Sequence, residues 1–429
     1  MKTSSLLFLF SFLFLTVQSQ DYLITFDATG DTNKVSSVYV HNLNSGVQIA
    51  VPGDDTLHLV EAVGIPSAEI NNDPIVIYPN PMINTSQLTC SVPETGLTTI
   101  RVLDMTGKTI MQYREQLQAG TCRFRITGIN QGLYLVHVSG SSFAYHTKLI
   151  SSGTGTQIPE ITLIVDENSL PTDLPKSIST QFTMPYHTGD RLFFWGISGN
   201  YSTYISDVPV ASKTILFTFT ACTDADNNHY PTVVIGSQTW MAANLNVGTR
   251  IDGVQNQTDN GIIEKYCYQD DADACMPHGG LYQWNELMQY TTTPGAQGLC
   301  PTGWHIPTDA EWCTLTQYLD PTVNCNAIGW SGQNAGGKMK STGTLEAGTG
   351  LWHQPNKGAT NESAFTGLPS GDRDESGSFA YQGTYGFWWS STQLNTGSAW
   401  SRSPDYSVAS IVRGGNQKIC GFSVRCVHD

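Results

Sequence analysis

Ten cysteines in 429 residues, eight of them after residue 221, constrain this chain more than any other feature. An even count in an exported protein is read as disulfides before metal ligands, because export delivers thiols to a place where they oxidise. The compartment follows from the first twenty residues. Lys2 precedes an apolar run over residues 6–17, and Val17-Gln18-Ser19 supplies small or polar side chains after it, so residues 1–19 read as a signal peptide and Gln20 as the first mature residue. The run is short for a bilayer, and no later segment offers the roughly 18 uninterrupted apolar residues that a membrane helix needs. With no cysteine at the junction, neither a lipid anchor nor a membrane span is expected.

The formal net charge of -15 argues against a nucleic-acid partner, since phosphate binding draws its affinity from clustered Lys and Arg. Charged residues make up 13% of the chain, about half the usual share. Thr, Ser, Gly and Asn are abundant instead. That composition suits extracellular β-structure, and the acidity, spread along the chain, reads as solubility.

Short alternating strings between residues 20 and 71, separated by Gly, Asn and Asp, predict an N-terminal β segment. From 72 to 151 the pattern sharpens: Ile75-Val76-Ile77-Tyr78 and the runs 87–92, 98–103, 122–126 and 133–138 are punctuated by turn signals such as Thr106-Gly107 and Gln131-Gly132. Near-regular spacing of this kind predicts a small antiparallel sandwich. Cys90 and Cys122 fall on two of its strands and bridge if those strands are neighbours; otherwise both are small buried hydrophobes. Residues 152–220 read as a linker and a small β module, or an extension of the preceding sandwich, with strands at 160–165, 181–184, 191–195 and 213–219.

Within the 72–151 block, Tyr78-Pro79-Asn80-Pro81, Asp104-Met105-Thr106-Gly107-Lys108, Gly132-Leu133-Tyr134 and Lys148-Leu149-Ile150 resemble the type A sorting domain of type IX secretion. In that family the domain is a β-sandwich at the C-terminus, recognised by an outer-membrane translocon. The resemblance implies passage through that machinery in a bacterium of the Bacteroidetes type. Here residues 152–429 follow the domain, a departure from the family's pattern whose alternative is an internal copy that serves only as a structural sandwich.

From residue 221 to 429 Trp, Gly and Cys become frequent and two helices are predicted. The first covers about 281–290. The second follows Ile306-Pro307: Thr308 and Glu311 form a capping box, and Trp312, Leu315 and Leu319 recur at helical spacing as a core face. Ile235-Gly236-Ser237-Gln238-Thr239-Trp240-Met241-Ala242-Ala243-Asn244-Leu245, Gly279-Gly280-Leu281-Tyr282-Gln283-Trp284, Cys300-Pro301-Thr302-Gly303-Trp304-His305-Ile306-Pro307, Gly386-Phe387-Trp388-Trp389-Ser390-Ser391 and Gly421-Phe422-Ser423-Val424-Arg425-Cys426 then carry a dense resemblance to the Fibrobacter succinogenes major paralogous domain. The resemblance implies an extracytoplasmic domain of surface proteins with no established activity. A more distant likeness, through Val412-Arg413-Gly414-Gly415 and the closing segment, links it to C-type-lectin-like folds and to formylglycine-generating sulfatase activators. The expected architecture is therefore multidomain: N-terminal all-β sandwich modules, then an α+β C-type-lectin-like domain with disulfides. Proximity in sequence pairs Cys267 with Cys275 and Cys313 with Cys325. The lectin-like likeness pairs Cys300 with Cys426, leaving Cys222 for Cys420.

Candidate chemistry is sparse. Asp224, Asp226 and Asn228 begin like a calcium loop, but His229 and Ile235 stand where glycine and a bidentate glutamate are required, so a hairpin turn is expected. Asp372, Asp374 and Glu375 crowd one loop beside Arg373, where calcium is possible and an Arg–carboxylate pair is the alternative; Asp270, Asp271 and Asp273 form a second acidic loop. Trp388 and Trp389 are adjacent on a predicted strand and must point to opposite faces, one into the core and the other available for stacking on sugar. The sulfatase activators need reactive cysteines after the Arg-Gly-Gly segment, and only Cys420 lies in that interval before the closing Cys426. His229, His278, His305 and His353 have no metal-ligand or triad spacing. The sequence thus predicts a secreted or cell-surface binding protein that recognises glycan or protein, without catalysis and without a cofactor. A structural subunit of a surface layer is the alternative, and an activator-like oxidoreductase the third.

Overall fold

The computed structural model describes residues 21–61, 75–78, 82, 85–93, 95–104, 109–140, 143–154, 159–164 and 182–429. The signal peptide over 1–19, motif residues 79–81 and 105–108, and the centre of the predicted linker lie outside them. The described chain is mostly β, with 47% strand and 9% helix.

The N-terminal strands do not form a module of their own. Strand Tyr22–Gly30 pairs in parallel with Lys213–Phe219 over seven registered pairs, from Ile24 opposite Lys213 to Gly30 opposite Phe219. Leu57–Glu61 and Phe182–Tyr186 complete that sheet. A second sheet joins Gln48–Pro52 and Ser37–Asn42 to Leu192–Ser198 and Tyr201–Asp207. Strict alternation fills the space between the sheets: in Leu192–Ser198 every second residue is buried. Ile24, Val38, Leu59, Met184, Phe194 and Phe217 share the resulting core. Residues 22–61 and 182–219 are thus two halves of one sandwich.

The 75–164 block is inserted between those halves and is itself a sandwich of two four-stranded sheets. Leu88, Ile100, Val102, Phe124, Val136 and Leu149 are buried between them. One strand differs from expectation: Thr109–Leu117 was not marked in the sequence. Glu160–Leu163 pairs with Gly120–Thr127, so of the two readings of the segment after 151 this strand follows the extension of the sandwich.

The C-terminal domain grows out of the first sandwich. Thr203 and Tyr204 pair in parallel with Thr232 and Val233, so one eight-stranded sheet runs from Gln48–Pro52 across to Trp304–His305 and Val427–His428. Main-chain hydrogen bonds therefore join the two bodies. Two further four-stranded sheets and helix Asp309–Leu319 complete the domain. The helix starts where predicted, because Thr308 accepts from the Glu311 amide while the Glu311 carboxylate accepts from the Thr308 amide. The other expected helix shrinks to Trp284–Leu287, since Tyr282–Gln283 is held as a strand against Gly421–Phe422 and Gln289 and Tyr290 adopt positive φ.

Two cores flank strand Trp388–Asn395. One contains Trp284, Trp304, Trp389 and Phe422; the other contains Trp240, Trp312, Phe365 and Trp388. Arg425, fully buried, donates to Asn244 Oδ1 at 2.6 Å and to the carbonyls of Met241, Phe365 and Thr366 at 3.1, 2.7 and 3.0 Å. Asn244 in turn reaches the His278 carbonyl and the Ser370 and Ser423 hydroxyls. A buried cation is tolerated there because every direction it faces offers an oxygen or a ring.

Candidate functional site

Trp388 and Trp389 do point to opposite faces, but both faces are core. Each ring is fully buried, because the strand runs between the two aromatic clusters. Their indole nitrogens donate to Asn244 Oδ1 and the Tyr282 carbonyl at 2.9 and 2.8 Å. Neither can stack on a ligand.

Arg373 is buried as well. Its guanidinium donates to the carbonyls of Gly253 and Ile419 and to Asn256 Oδ1, so it ties three chain segments together and pairs with no carboxylate. The acidic loop beside it does not gather its oxygens. Asp374 Oδ1 accepts from the Ser376 amide and hydroxyl and from the Ser378 amide, which closes a local turn. Asp372 is 8% exposed, and its Oδ1 has no hydrogen-bond partner. Burial, then the charges of Asp374 and Glu375, pushes its carboxyl up to about 7. The second acidic loop is likewise committed: Asp271 caps the Asp273 amide and Asp270 accepts from the Gly253 amide. Among the described residues no three His, Cys, Asp or Glu side chains come close enough to hold a metal ion. Asp224 makes the expected hairpin turn, accepting from the amides of Asp226 and Asn228.

Three of the five expected bridges are formed: Cys267–Cys275, Cys300–Cys426 and Cys313–Cys325. Cys90 and Cys122 stand in register across neighbouring strands but remain thiols, as do Cys222 and Cys420. Burial, then Glu375, Asp372 and Asp374, pushes Cys420 up to about 11, and burial with Asp224 raises Cys222 further. Both are therefore protonated and poorly nucleophilic at neutral pH. The histidines stay apart: His305 is held between Glu311 and Asp429, His353 by Glu346, His229 by Thr223, and buried His278 is pushed down to about 4.

What the sequence missed lies on the turn before Trp388. Tyr381, 55% exposed, adopts φ 64°, which is rare for a bulky side chain and is held here by its surroundings. Its carbonyl accepts from the Thr384 hydroxyl and the amides of Thr384 and Tyr385, closing a turn that lifts the ring out of the sheet. Behind it a ladder of stacked rings leads inward. Tyr385 stacks on Phe387 at 5.4 Å, Phe387 on Phe422 at 4.8 Å, and Phe422 on buried Trp389 at 4.3 Å. The Tyr385 hydroxyl bonds to Asp405, which together with burial raises its pKa to about 12. Tyr381, Tyr385 and Phe387 thus form a shelf of partly exposed rings edged with hydroxyls and anchored in the core. Such a surface can cover the apolar face of a sugar or a side chain while hydrogen-bonding at its rim.

A groove of about 600 Å³ lies where the first sandwich meets the C-terminal domain, walled by Leu216, Val234 and Tyr318. The charged groups in its wall are already paired, Lys338 with Glu362 at 2.8 Å. It reads as a seam between two bodies.

The fold is that of a mostly β protein with three disulfides, and the match to a sorting domain marks it as exported to the cell surface or outside. Residues 76–152 match the secretion system C-terminal sorting domain, and among the described residues no helix is long and apolar enough to cross a membrane. Residues 233–428 match the Fibrobacter succinogenes major domain. No curated protein and no solved structure matches the chain.

Proposed function

We propose that the protein is a recognition module at the cell surface, with a lectin-like C-terminal domain that binds glycan on the Tyr381–Tyr385–Phe387 shelf and catalyses no reaction. The observation that carries this reading is Tyr381 itself: a large ring presented to solvent at a backbone angle that costs energy, on top of a ring ladder that fixes its position. Pre-organised aromatic area of this kind supports binding because little side-chain freedom remains to be lost. A protein ligand would use the same shelf. The raised pKa values of Cys222 and Cys420 weigh against activator-like chemistry, which needs a thiolate.

Screening the purified full chain on a glycan array tests this. Saturable binding is expected, insensitive to chelator. Tyr381→Asn, which removes the ring but suits positive φ, should weaken binding about tenfold, equivalent to about 1.4 kcal/mol. Its melting temperature should stay at the wild-type value. Unchanged affinity in this variant would sink the shelf. The second reading, a structural subunit of a surface layer, draws on the sheet that runs unbroken through two bodies; it predicts self-assembly and no saturable ligand.

A further inference from the structure

A second concavity, of about 400 Å³, opens on the far side of Arg373. That is enough room for one sugar unit, since ligand pockets start near 300 Å³. Asn256, Gln283, Asn285, Thr396, Gln417 and Lys418 line it. Among its described lining residues there is no carboxylate, although the chain as a whole carries a net charge of -15.

The back wall is built from reciprocal hydrogen bonds. The Gln257 amide donates to Gln283 Oε1 at 3.1 Å, and the Gln283 amide donates to Gln257 Oε1 at 2.7 Å. Gln283 Nε2 then donates to Asn256 Oδ1 at 2.9 Å and to the Ile419 carbonyl at 2.8 Å. Arg373 donates to those same two oxygens from behind, both at 3.0 Å. The side-chain oxygens of Gln257, Gln283 and Asn256 and the Ile419 carbonyl are therefore already occupied. What the Asn256 carboxamide has left to offer is its N–H donors.

Lys418 is 8% exposed, and its ammonium sits 4.0 Å from the centre of the Trp284 ring. It donates to Gln393 Oε1 at 2.9 Å. An ammonium has three donors and here has a neutral partner and a ring. A nine-tenths-buried cation in a pocket whose lining holds no carboxylate favours a ligand that brings acceptors and negative charge.

We infer that this pocket is a subsite for a carboxylate-bearing sugar unit, a uronic acid, with its carboxylate toward Lys418 and its hydroxyls on the surrounding carboxamides. The inference rests on the reading of the protein as a glycan-recognition module and narrows it to acidic polysaccharide. Arg373 is then a positioning residue, holding Asn256 and Ile419 where they line the pocket.

The test is titration calorimetry of the full chain with trigalacturonate and with its fully methyl-esterified, uncharged counterpart. The acid is expected to bind at least tenfold tighter than the ester, because the charge-assisted hydrogen bond to Lys418 is lost on esterification. Its affinity should fall as salt is raised. Lys418→Met keeps an unbranched side chain over Trp284 and should remove the preference for the acid, so that acid and ester bind alike. If that variant does not fold, the acid, ester and salt comparison on the wild-type protein still decides. Equal binding of acid and ester, or an unaltered preference in Lys418→Met, overturns the subsite. Should neutral glycans bind through Tyr381 without any acid preference, the subsite fails and the recognition reading stands. Absence of binding to any glycan overturns both.

Discussion

Replacing Cys300 and Cys426 with alanine is expected to lower the melting temperature of the C-terminal domain by about 10–20 °C, the largest loss from any one bridge. The bond closes a separation of 126 residues, against 8 for Cys267–Cys275 and 12 for Cys313–Cys325. Chain-entropy arguments assign about 5 kcal/mol to the long loop and about 2.5 kcal/mol to the shortest. A domain of this size loses roughly 2–4 °C per kcal/mol. The nested Cys313–Cys325 bridge shortens the long loop only slightly. Local structure adds to the effect. Strand Val427–His428 is two residues long and depends on its pairing with Trp240 on one side and Trp304–His305 on the other. Arg425, next to the bridge, must meet four acceptors at once. Releasing Cys426 loosens both. Calorimetry of the two double-alanine variants checks the ranking: equal losses, or a larger loss for Cys267 and Cys275, would show that loop entropy is not what the long bridge contributes.

Local signals in the sequence carried through to the structure, whereas the one non-local pairing that did, Cys300–Cys426, was reached only through the lectin-like resemblance. The capping box at Thr308 and Glu311 depends on residues three apart, so it was legible, as were the alternating strands of the inserted sandwich. Cys267–Cys275 and Cys313–Cys325 follow from short separation. The division of the first sandwich into two halves could not be read, because the parallel pairing of Ile24 with Lys213 leaves no mark on either neighbourhood. Thr109–Leu117 was unreadable for a different reason: Arg114 and Glu115 face solvent, and Met111 and Leu117 are the only fully buried residues of the strand, so no alternation survives.

The site shows the same limit. Alternation correctly sends Trp388 and Trp389 to opposite faces, but whether a face is solvent depends on what packs against it. Two cores meet on that strand. The rings that do reach solvent sit a few residues earlier, where Phe379-Ala380-Tyr381-Gln382 reads as ordinary strand and gives no warning of the positive φ at Tyr381. Lys418 and the carboxamides around it lie on segments up to 162 residues apart, Asn256 to Lys418. No spacing rule connects them.

Asp372→Asn is expected to stabilise the protein at pH 8 by roughly 2–4 kcal/mol and to leave it unchanged at pH 4. In the folded chain the carboxyl titrates near 7 because burial penalises its charge and Asp374 and Glu375 add repulsion; in the unfolded chain it titrates near its ordinary 3.8. Between those values the folded state holds a proton that the unfolded state has lost. The stability from this group is therefore fully present below about pH 4 and is lost as pH rises through 7. Arg373 turns its guanidinium to carbonyls instead of to Asp372, while Tyr268 and Cys420, which also face the carboxyl, are neutral at these pH values, so nothing nearby compensates the charge. The asparagine variant removes the titration, and its stability curve should run flat where that of the wild type declines. Denaturant unfolding between pH 4 and 8 measures this; parallel curves would mean that Asp372 ionises freely in the fold. The same titration separates a structural acid from a calcium ligand. A metal at Asp372, Asp374 and Glu375 would make the wild type gain stability at pH 8 when calcium is added, and the variant would lose that gain. No calcium-dependent shift is expected, because Asp374 spends its Oδ1 on Ser376 and Ser378 and the three carboxylates do not converge.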